Sequence, residues 1–550
     1  MARSALMAFL QRAYKITQVS LETGIPADEI VEILQQKTTR RHLIYGGLGL
    51  ASAISAVTWD DGGDGVAYAT IPKVLVVGAG IAGLVAAYRL SQAGVPVDIV
   101  EARNRIGGRI YTVQNALGTS IPVDLGGEFI DTIHTSLRSL AQELGLQIAD
   151  LYADDKDLIQ STSYFQGRHI SEKETLQWFA PLVQKIKRDL AAIGKTPITY
   201  RTHNQAASKL DHTSITQYLE SAQVHPLLSQ RIQAAYTGLY GREAKEQSSI
   251  NMLLFIGTDP NSFQISAESD ERFQIVGGND QVPRLLARIL TNSIETGTEL
   301  EAIATRSDGS YRVSLRSGNR SFERTYERVL LALPFSTLRQ VSLNVDLPEV
   351  KKKAIAQLGY GNNAKLITAY RERIWRTRYN STAFVSTDLD FEYIYEASRY
   401  QPGSSGLLTN FTGGQSSLLL GQGSAESQAQ KLLTQLEKIF PGIPSVRKGQ
   451  AIRAYWPTEP YTRASYACYL VGQWTTIAGA EQENVGNLFF AGEHCSQKFQ
   501  GYMEGGCRTG EMAAVQILRS LGLKKSAAQQ QARMTRTRGV GEKDTEKQTS

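Results

Sequence analysis

Three glycines and one acidic residue near the first apolar strand have the spacing of a dinucleotide site. Gly78, Gly80 and Gly83 follow one another as G-x-G-x-x-G, the spacing that lets a backbone approach a pyrophosphate. Glu101 stands roughly twenty residues further on, where a carboxylate can accept hydrogen bonds from an adenosine ribose. A glycine-rich turn is by itself a weak signal, so the flanking elements decide its meaning.

The segments around these glycines have the patterns of a strand, a helix and a second strand. Val74 to Val77 is an apolar run too short for a helix and suited to a buried parallel strand. Ala82 to Leu90 is rich in alanine and leucine, and a helix there would direct its first amides at the phosphates. Val97 to Val100 forms the second strand and ends at Glu101. Together these elements predict a dinucleotide-binding unit.

The basic segment that follows indicates which nucleotide is bound. Arg105, Gly107, Gly108 and Arg109 resemble the second fingerprint of the flavin amine oxidase family, which includes monoamine, polyamine and L-amino acid oxidases. Members of that family bind FAD. The physical interpretation agrees, because two glycines let the chain pass close to a diphosphate that Arg109 can neutralise with its forked guanidinium.

Later segments resemble the family's remaining FAD contacts. The segment VDLGGEFID, from Val123 to Asp131, would pass beside the flavin ring, and the chain would return to the FAD domain at Glu271 to Ala287. A helix beginning near Met503 would direct its amides at the pyrimidine edge of the flavin. The resulting cofactor-binding residues are Gly78, Gly80, Ile81, Ala82, Gly83, Glu101, Ala102, Arg103, Gly108, Arg109, Gly126, Gly127, Glu128, Leu300, Trp456, Tyr461, Gly492, Glu493, Tyr502 and Met503.

Lys365, Tyr466 and Tyr502 are the residues to which the resemblance assigns catalytic roles. On pattern alone, a lysine at the start of an apolar strand is expected to be exposed, and the two tyrosines are expected to pack in a core. In the family, a lysine at the position of Lys365 holds a water against the flavin N5. The two aromatic residues stand parallel in front of the ring in the monoamine oxidases.

The family's covalent tether is absent from this sequence. Monoamine oxidases link FAD through a cysteine at the position of Ser465, and Ala464 replaces the glycine that usually precedes it. The resemblance therefore implies FAD bound without a covalent link.

The resemblance implies oxidation of a carbon–nitrogen bond. A primary or secondary amine would become an imine, which water hydrolyses to a carbonyl compound and ammonia or a smaller amine. The flavin supplies the redox chemistry while the protein orients the amine. Oxygen, giving hydrogen peroxide, or a quinone would reoxidise the flavin.

Two ranked hypotheses and one remote alternative remain open for the substrate class. Acidic side chains at Glu128 and Asp131 favour an amine with a cationic distal group. An L-amino acid oxidase or dehydrogenase acting on basic L-amino acids comes second, with Arg138 as a candidate carboxylate clamp. A flavin desaturase of the phytoene desaturase or protoporphyrinogen oxidase type is the remote alternative, because those enzymes are not expected to combine Lys365 with the aromatic residues. A non-enzymatic binding scaffold fits these motifs less well than any of the enzymes.

Composition limits the other classes of function. A chain of 550 residues that is 42% hydrophobic can bury a large core in more than one domain. Much of the net charge of +6 lies in residues 524–550, which read as a disordered tail, so a nucleic-acid partner is not expected. The scattered histidines and Cys468, Cys495 and Cys507, which lack CxxC spacing, predict no metal site.

Residues 1–69 have the features of an export leader. Arg40 and Arg41 precede an apolar stretch that ends at Val57, and Ala67 to Ala69 is a small-x-small cleavage pattern. This resembles a twin-arginine signal, which predicts a periplasmic or thylakoid-lumen protein. An uncleaved membrane anchor is the alternative.

The predicted fold class is α/β, with two domains. A Rossmann-like FAD domain would be built from three separated segments, 70–130, 271–345 and 451–523. An α+β substrate domain would be formed by the two excursions, 131–270 and 346–450.

Overall fold

The computed structural model describes residues 71–258, 265–266 and 269–546. Every described residue belongs to the compact unit Thr70–Ser550. The predicted leader and its export signal therefore lie outside the described residues. In the part of the chain that is described, no helix is long and apolar enough to cross a membrane.

A five-stranded parallel sheet contains the strand that leads into the glycine-rich turn. All three segments predicted for the FAD domain contribute strands to it. Val74–Val77 is buried along its whole length, and its alternate side chains enter two different hydrophobic cores. A parallel strand covered on both faces needs such a continuous apolar run. The strand order is Leu488–Phe490, Arg328–Leu331, Val74–Val77, Val97–Val100, Ile294–Glu295.

Two helices pack against each other and against one face of this sheet, Ile81–Gln92 and Met503–Ser520. Their close approach requires a residue without a side chain, because a Cβ on Gly510 would lie 2.4 Å from the Ala82 carbonyl oxygen. The other helices in the described part of the chain are Thr135–Glu143, Glu172–Ile193, Gln205–Asp211, Ile215–Ser221, Pro226–Tyr240, Ser249–Leu253, Gln281–Ile289, Phe335–Leu338, Glu349–Gln357, Ile374–Thr377, Gly414–Leu420, Ala425–Leu436 and Lys524–Glu546.

A seven-stranded mixed sheet is formed largely by the segments predicted for the substrate domain. Its order is Arg447–Tyr455, Ala364–Tyr370, Gly406–Thr412, Tyr393–Glu396, Val385–Thr387, Thr162–Phe165, Arg168–His169. The first of these strands crosses the predicted boundary at residue 451, so this sheet extends into the segment assigned to the FAD domain.

Smaller sheets complete the described structure. A four-stranded sheet has the order Arg320–Tyr326, Tyr311–Ser317, Thr298–Thr305, Ser342–Asn344. The strand pairs are Thr112–Val113 with Val123–Asp124 and Ile148–Asp150 with Phe273–Ile275.

The expectation of a disordered tail from residue 524 is wrong for most of its length. Residues Lys524–Glu546 form a helix. Ala527 and Met534 are buried in the same core as the helix Met503–Ser520, and they lie seven residues apart, which places them on one helical face. Composition indicated disorder because the segment is rich in glutamine, lysine, arginine and threonine and has few large apolar residues.

Candidate active site

A cavity of about 560 Å³ lies where the strands of the five-stranded sheet end. Ligands bind at this edge in open α/β sheets, and the volume is typical of a small-molecule site. Every residue predicted for the cofactor or for catalysis borders this cavity except Gly83. A Cβ on Gly83 would lie 2.0 Å from the Gly78 carbonyl oxygen. Gly83 therefore permits the helix to pack on the strand and does not contact a ligand directly.

The glycine-rich turn presents open backbone amides to the cavity. The helix Ile81–Gln92 begins at Gly80, which has no side-chain cap, so the first-turn amides lack partners within the helix. A Cβ on Gly80 would meet nothing within 4 Å. The helix Met503–Ser520 also begins without a side-chain cap, at Tyr502. These two helix ends and the open space beside Gly80 fit a diphosphate and a flavin ring.

Charged side chains join the first and last predicted FAD segments. Both oxygens of Glu101 accept backbone N–H bonds of 2.9 Å, from Ala79 and Arg103, which fixes this carboxylate at the cavity edge. Arg109 Nη1 donates to Glu493 Oε1 at 2.7 Å. It also donates to the Ser465 carbonyl oxygen at 2.8 Å. The segments predicted to bind FAD are thus tied to one another by direct contacts.

Lys365 is buried at the start of the strand Ala364–Tyr370, with 5% of its surface exposed. Its ammonium group donates three hydrogen bonds: to the backbone oxygens of Asp124 (3.1 Å) and Gly126 (2.8 Å), and to Glu128 Oε2 (2.7 Å). An ammonium group has three donors, so the protein uses all of them. The prediction from the pattern alone, that this lysine is exposed, is therefore wrong. A water near the flavin would compete with the three protein acceptors for the N–H donors of Lys365.

The two predicted catalytic tyrosines border the same cavity. The Tyr466 hydroxyl donates to the Leu239 carbonyl oxygen. The Tyr502 ring packs edge-on against the His134 ring, with 4.9 Å between the ring centroids. Burial raises the pKa of both phenols well above the ordinary tyrosine value, so both are neutral. The Ser465 hydroxyl donates to Asn363 Oδ1 at 2.5 Å.

The structure changes the prediction that Glu128 and Asp131 present free carboxylates to a substrate. Glu128 forms an ion pair with Lys365, and Asp131 is only 1% exposed. Arg138 does not border the cavity, because it donates to the Thr132 carbonyl oxygen and stacks over Phe273.

Sequence reasoning missed several residues of the cavity wall. Glu271 was read only as the beginning of a segment, and nothing in the local sequence indicated that its side chain borders the cavity. Tyr393 and Tyr395 had a usable signal, since residues two apart on a strand share a face. The other missed residues are Leu239, Tyr240, Phe255, Asn363 and Phe411.

Comparison with known families and sequences gives a consistent match. The family model for flavin containing amine oxidoreductases matches residues 81–518. Amine oxidase [flavin-containing] B of Mus musculus is 24% identical over 469 residues, covering 82% of this chain and 86% of that protein. The L-amino-acid oxidase of Siganus canaliculatus is 26% identical over 476 residues, covering 82% and 85%.

Solved structures share the fold. Putrescine oxidase in its wild-type form bound to putrescine has a TM-score of 0.70 at 21% identity, over 82% of this chain and 99% of that one. Cyclohexylamine oxidase from Brevibacterium oxydans IH-35A has a TM-score of 0.70 at 21% identity, over 82% and 100%.

Proposed function

Because the chain belongs to the family of flavin-containing amine oxidoreductases, we propose that it binds FAD and oxidises the carbon–nitrogen bond of a primary or secondary amine. When bound, FAD accepts a hydride equivalent from the carbon next to the nitrogen. The chain's own residues bind and orient the amine and exclude water. Hydrolysis of the imine then releases a carbonyl compound and ammonia or a smaller amine.

The charge distribution of the cavity supports an amine substrate. Glu128, Asp131 and Glu271 border the cavity, and Lys365, which also borders it, is paired with Glu128. The arginines that border the cavity all lie in the segments predicted for the FAD domain, and they are Arg103, Arg109, Arg316 and Arg463. An acidic, aromatic substrate end attracts a cationic amine.

An L-amino acid with a basic side chain is the second candidate. The similarity to an L-amino-acid oxidase supports it, whereas the position of Arg138 outside the cavity wall removes the predicted carboxylate clamp. Incubating the FAD-loaded protein with monoamines, diamines and L-amino acids, and assaying ammonia and carbonyl products, separates these candidates. Oxygen consumption with peroxide formation, against reduction of a quinone, identifies the acceptor. Formation of a carbonyl product from no compound of the panel would contradict the proposal.

The flavin is proposed to be held without a covalent bond, because Ser465 offers no thiol to the ring. Acid precipitation should release the yellow colour into the supernatant, and colour kept in the washed pellet would contradict this.

Export by a twin-arginine route is a further proposal, and it rests on Arg40 and Arg41. Replacing both with lysine should retain the full-length chain in the cytoplasm. An unchanged distribution between compartments would refute export by this route.

A further inference from the structure

Glu271 borders the cavity with a backbone conformation that residues bearing a side chain rarely adopt. Its φ is +43°, in the left-handed region that favours glycine. Such conformations persist where the surrounding structure holds them, and they cluster at functional sites. The residue before it is anchored, because Asp270 accepts hydrogen bonds from the Thr132 N–H (2.8 Å) and hydroxyl (2.5 Å).

Asp131 holds Glu271 in this position. Its Oδ1 accepts the Glu271 N–H at 2.8 Å. His134 lies on the other side: its Nδ1 accepts the Asp131 N–H at 2.9 Å, which leaves the ring proton on Nε2, 3.3 Å from Asp131 Oδ2. Burial lowers the pKa of His134 to about 3, so the ring remains neutral. Asp131 is therefore a positioning residue for Glu271.

The side chain of Glu271 faces the cavity without a protein partner. Among the described residues, no N–H or O–H group donates a hydrogen bond to its carboxylate, whereas Glu128 Oε2 accepts bonds of 2.7 Å from both Lys365 and Tyr395. Burial raises the pKa of Glu271, against the opposing effect of Arg399. Glu271 is half-buried, and no described residue forms an ion pair with its carboxylate, so a positively charged ligand group in the cavity would stabilise the ionised form.

Three tyrosines border the cavity together with Glu271: Tyr393, Tyr395 and Tyr502. Burial, and to a smaller extent the negative charge of Glu271, raises the pKa of all three phenols. Aromatic faces attract a cation that a carboxylate also binds. The combination suits an alkylammonium group.

We propose that Glu271 determines substrate specificity by binding a protonated nitrogen that is separate from the reacting carbon–nitrogen bond. The inference rests on the proposed amine oxidation. The reacting nitrogen must be neutral to release a hydride equivalent from its neighbouring carbon. An ion pair with the Glu271 carboxylate keeps a nitrogen protonated, so the nitrogen at Glu271 is the second one. Preferred substrates are diamines, polyamines or basic amino acids, which share this feature.

The test uses Glu271→Gln in the full-length FAD-loaded protein, because glutamine keeps the shape and removes the charge. Two matched pairs replace the distal ammonium with a methyl group: putrescine with pentylamine, and L-ornithine with L-norleucine. Anaerobic flavin reduction at several concentrations gives an apparent dissociation constant and a limiting rate for each compound. The pair that reduces the wild-type flavin identifies whether the second nitrogen comes from an amine or an amino acid.

In the wild type we expect the member of the active pair that has the distal ammonium group to bind better. Glu271→Gln should weaken its binding by roughly tenfold or more, while the methyl analogue changes by less than about twofold. Glu172→Gln, an exposed substitution on the helix Glu172–Ile193, is the matched control and should change the binding of neither compound. Unfolding temperatures show whether the variants remain folded.

The outcomes separate the two proposals. Equal weakening of both members, no weakening of either, or a wild type that does not discriminate would overturn the role of Glu271 while amine oxidation stands. Failure of all four compounds to reduce the wild-type flavin would also overturn the role of Glu271, and failure of every amine and amino acid of the wider panel would reject the proposed function with it.

Discussion

Replacing Lys365 with methionine tests the buried ion pair that lies beside the flavin site. Methionine keeps most of the apolar stem and removes the three hydrogen bonds from Nζ, one of them to Glu128 Oε2 at 2.7 Å. The substitution leaves a carboxylate whose described hydrogen-bond donor is then Tyr395. The structure therefore predicts a large effect on stability.

The magnitude follows from the burial of both partners, whose side chains are 6% and 4% exposed. Removing one member of a buried ion pair costs about 3–5 kcal/mol, because the remaining charge is uncompensated. The double variant Lys365→Met/Glu128→Gln removes both charges, and we expect it to regain about 1–3 kcal/mol through coupling. Lys73→Met is the control, since Lys73 is 53% exposed in its pair with Asp98 and should change stability by about 1 kcal/mol or less.

The assay is urea unfolding of the single and double variants, followed by stopped-flow reduction and reoxidation of the flavin. If Lys365 also holds a water at N5, as the family resemblance implies, one half-reaction should slow by roughly a hundredfold, or about 2.7 kcal/mol. A loss of stability no larger than that of Lys73→Met, together with wild-type rates in both half-reactions, would refute the reasoning.

Three further predictions concern the cofactor turn, the histidine and the tyrosines. Gly80→Ala should fold normally but weaken FAD binding about tenfold or more, because its Cβ enters open space beside the cavity. Gly83→Ala should instead destabilise the protein itself. Equal FAD affinity in Gly80→Ala and the wild type would contradict the proposed FAD site. The lowered pKa of His134, about 3, requires a neutral ring in the folded state, so stability should fall as pH drops below about 6.5, by up to about 1.4 kcal/mol per pH unit. His134→Gln should flatten this slope in urea unfolding between pH 7 and 5, and equal slopes would contradict the assignment. Tyr466→Ala and Tyr502→Ala should lower the rate of flavin reduction more than the unfolding temperature, and full activity per folded molecule would place both rings in core packing alone.

The nucleotide half of the site could be predicted from the sequence because its parts are local. The strand Val74–Val77, the glycine turn and the helix that follows are adjacent in the chain, and each has its own pattern. The same holds for Glu101, which follows the second strand directly. Their meeting at one edge of a parallel sheet follows from the topology of such sheets.

The substrate half could not be predicted as well because its contacts join distant segments. The burial of Lys365 depends on Glu128, 237 positions earlier in the chain, and a single strand does not reveal that partner. The family resemblance supplied the burial, although the three protein acceptors of Nζ were not foreseen. Glu271 was missed for a similar reason: Asp131, 140 positions away, imposes its conformation.

Anaerobic mixing of the FAD-loaded protein with amines, basic L-amino acids and polyprenoids tests the central claim most directly. The account predicts that an amine bleaches the flavin absorbance, that one carbonyl product forms for each flavin reduced, and that oxygen or a quinone then restores the oxidised spectrum. A flavin that stays oxidised with every amine and amino acid, or that is bleached only by a polyprenoid, would contradict it.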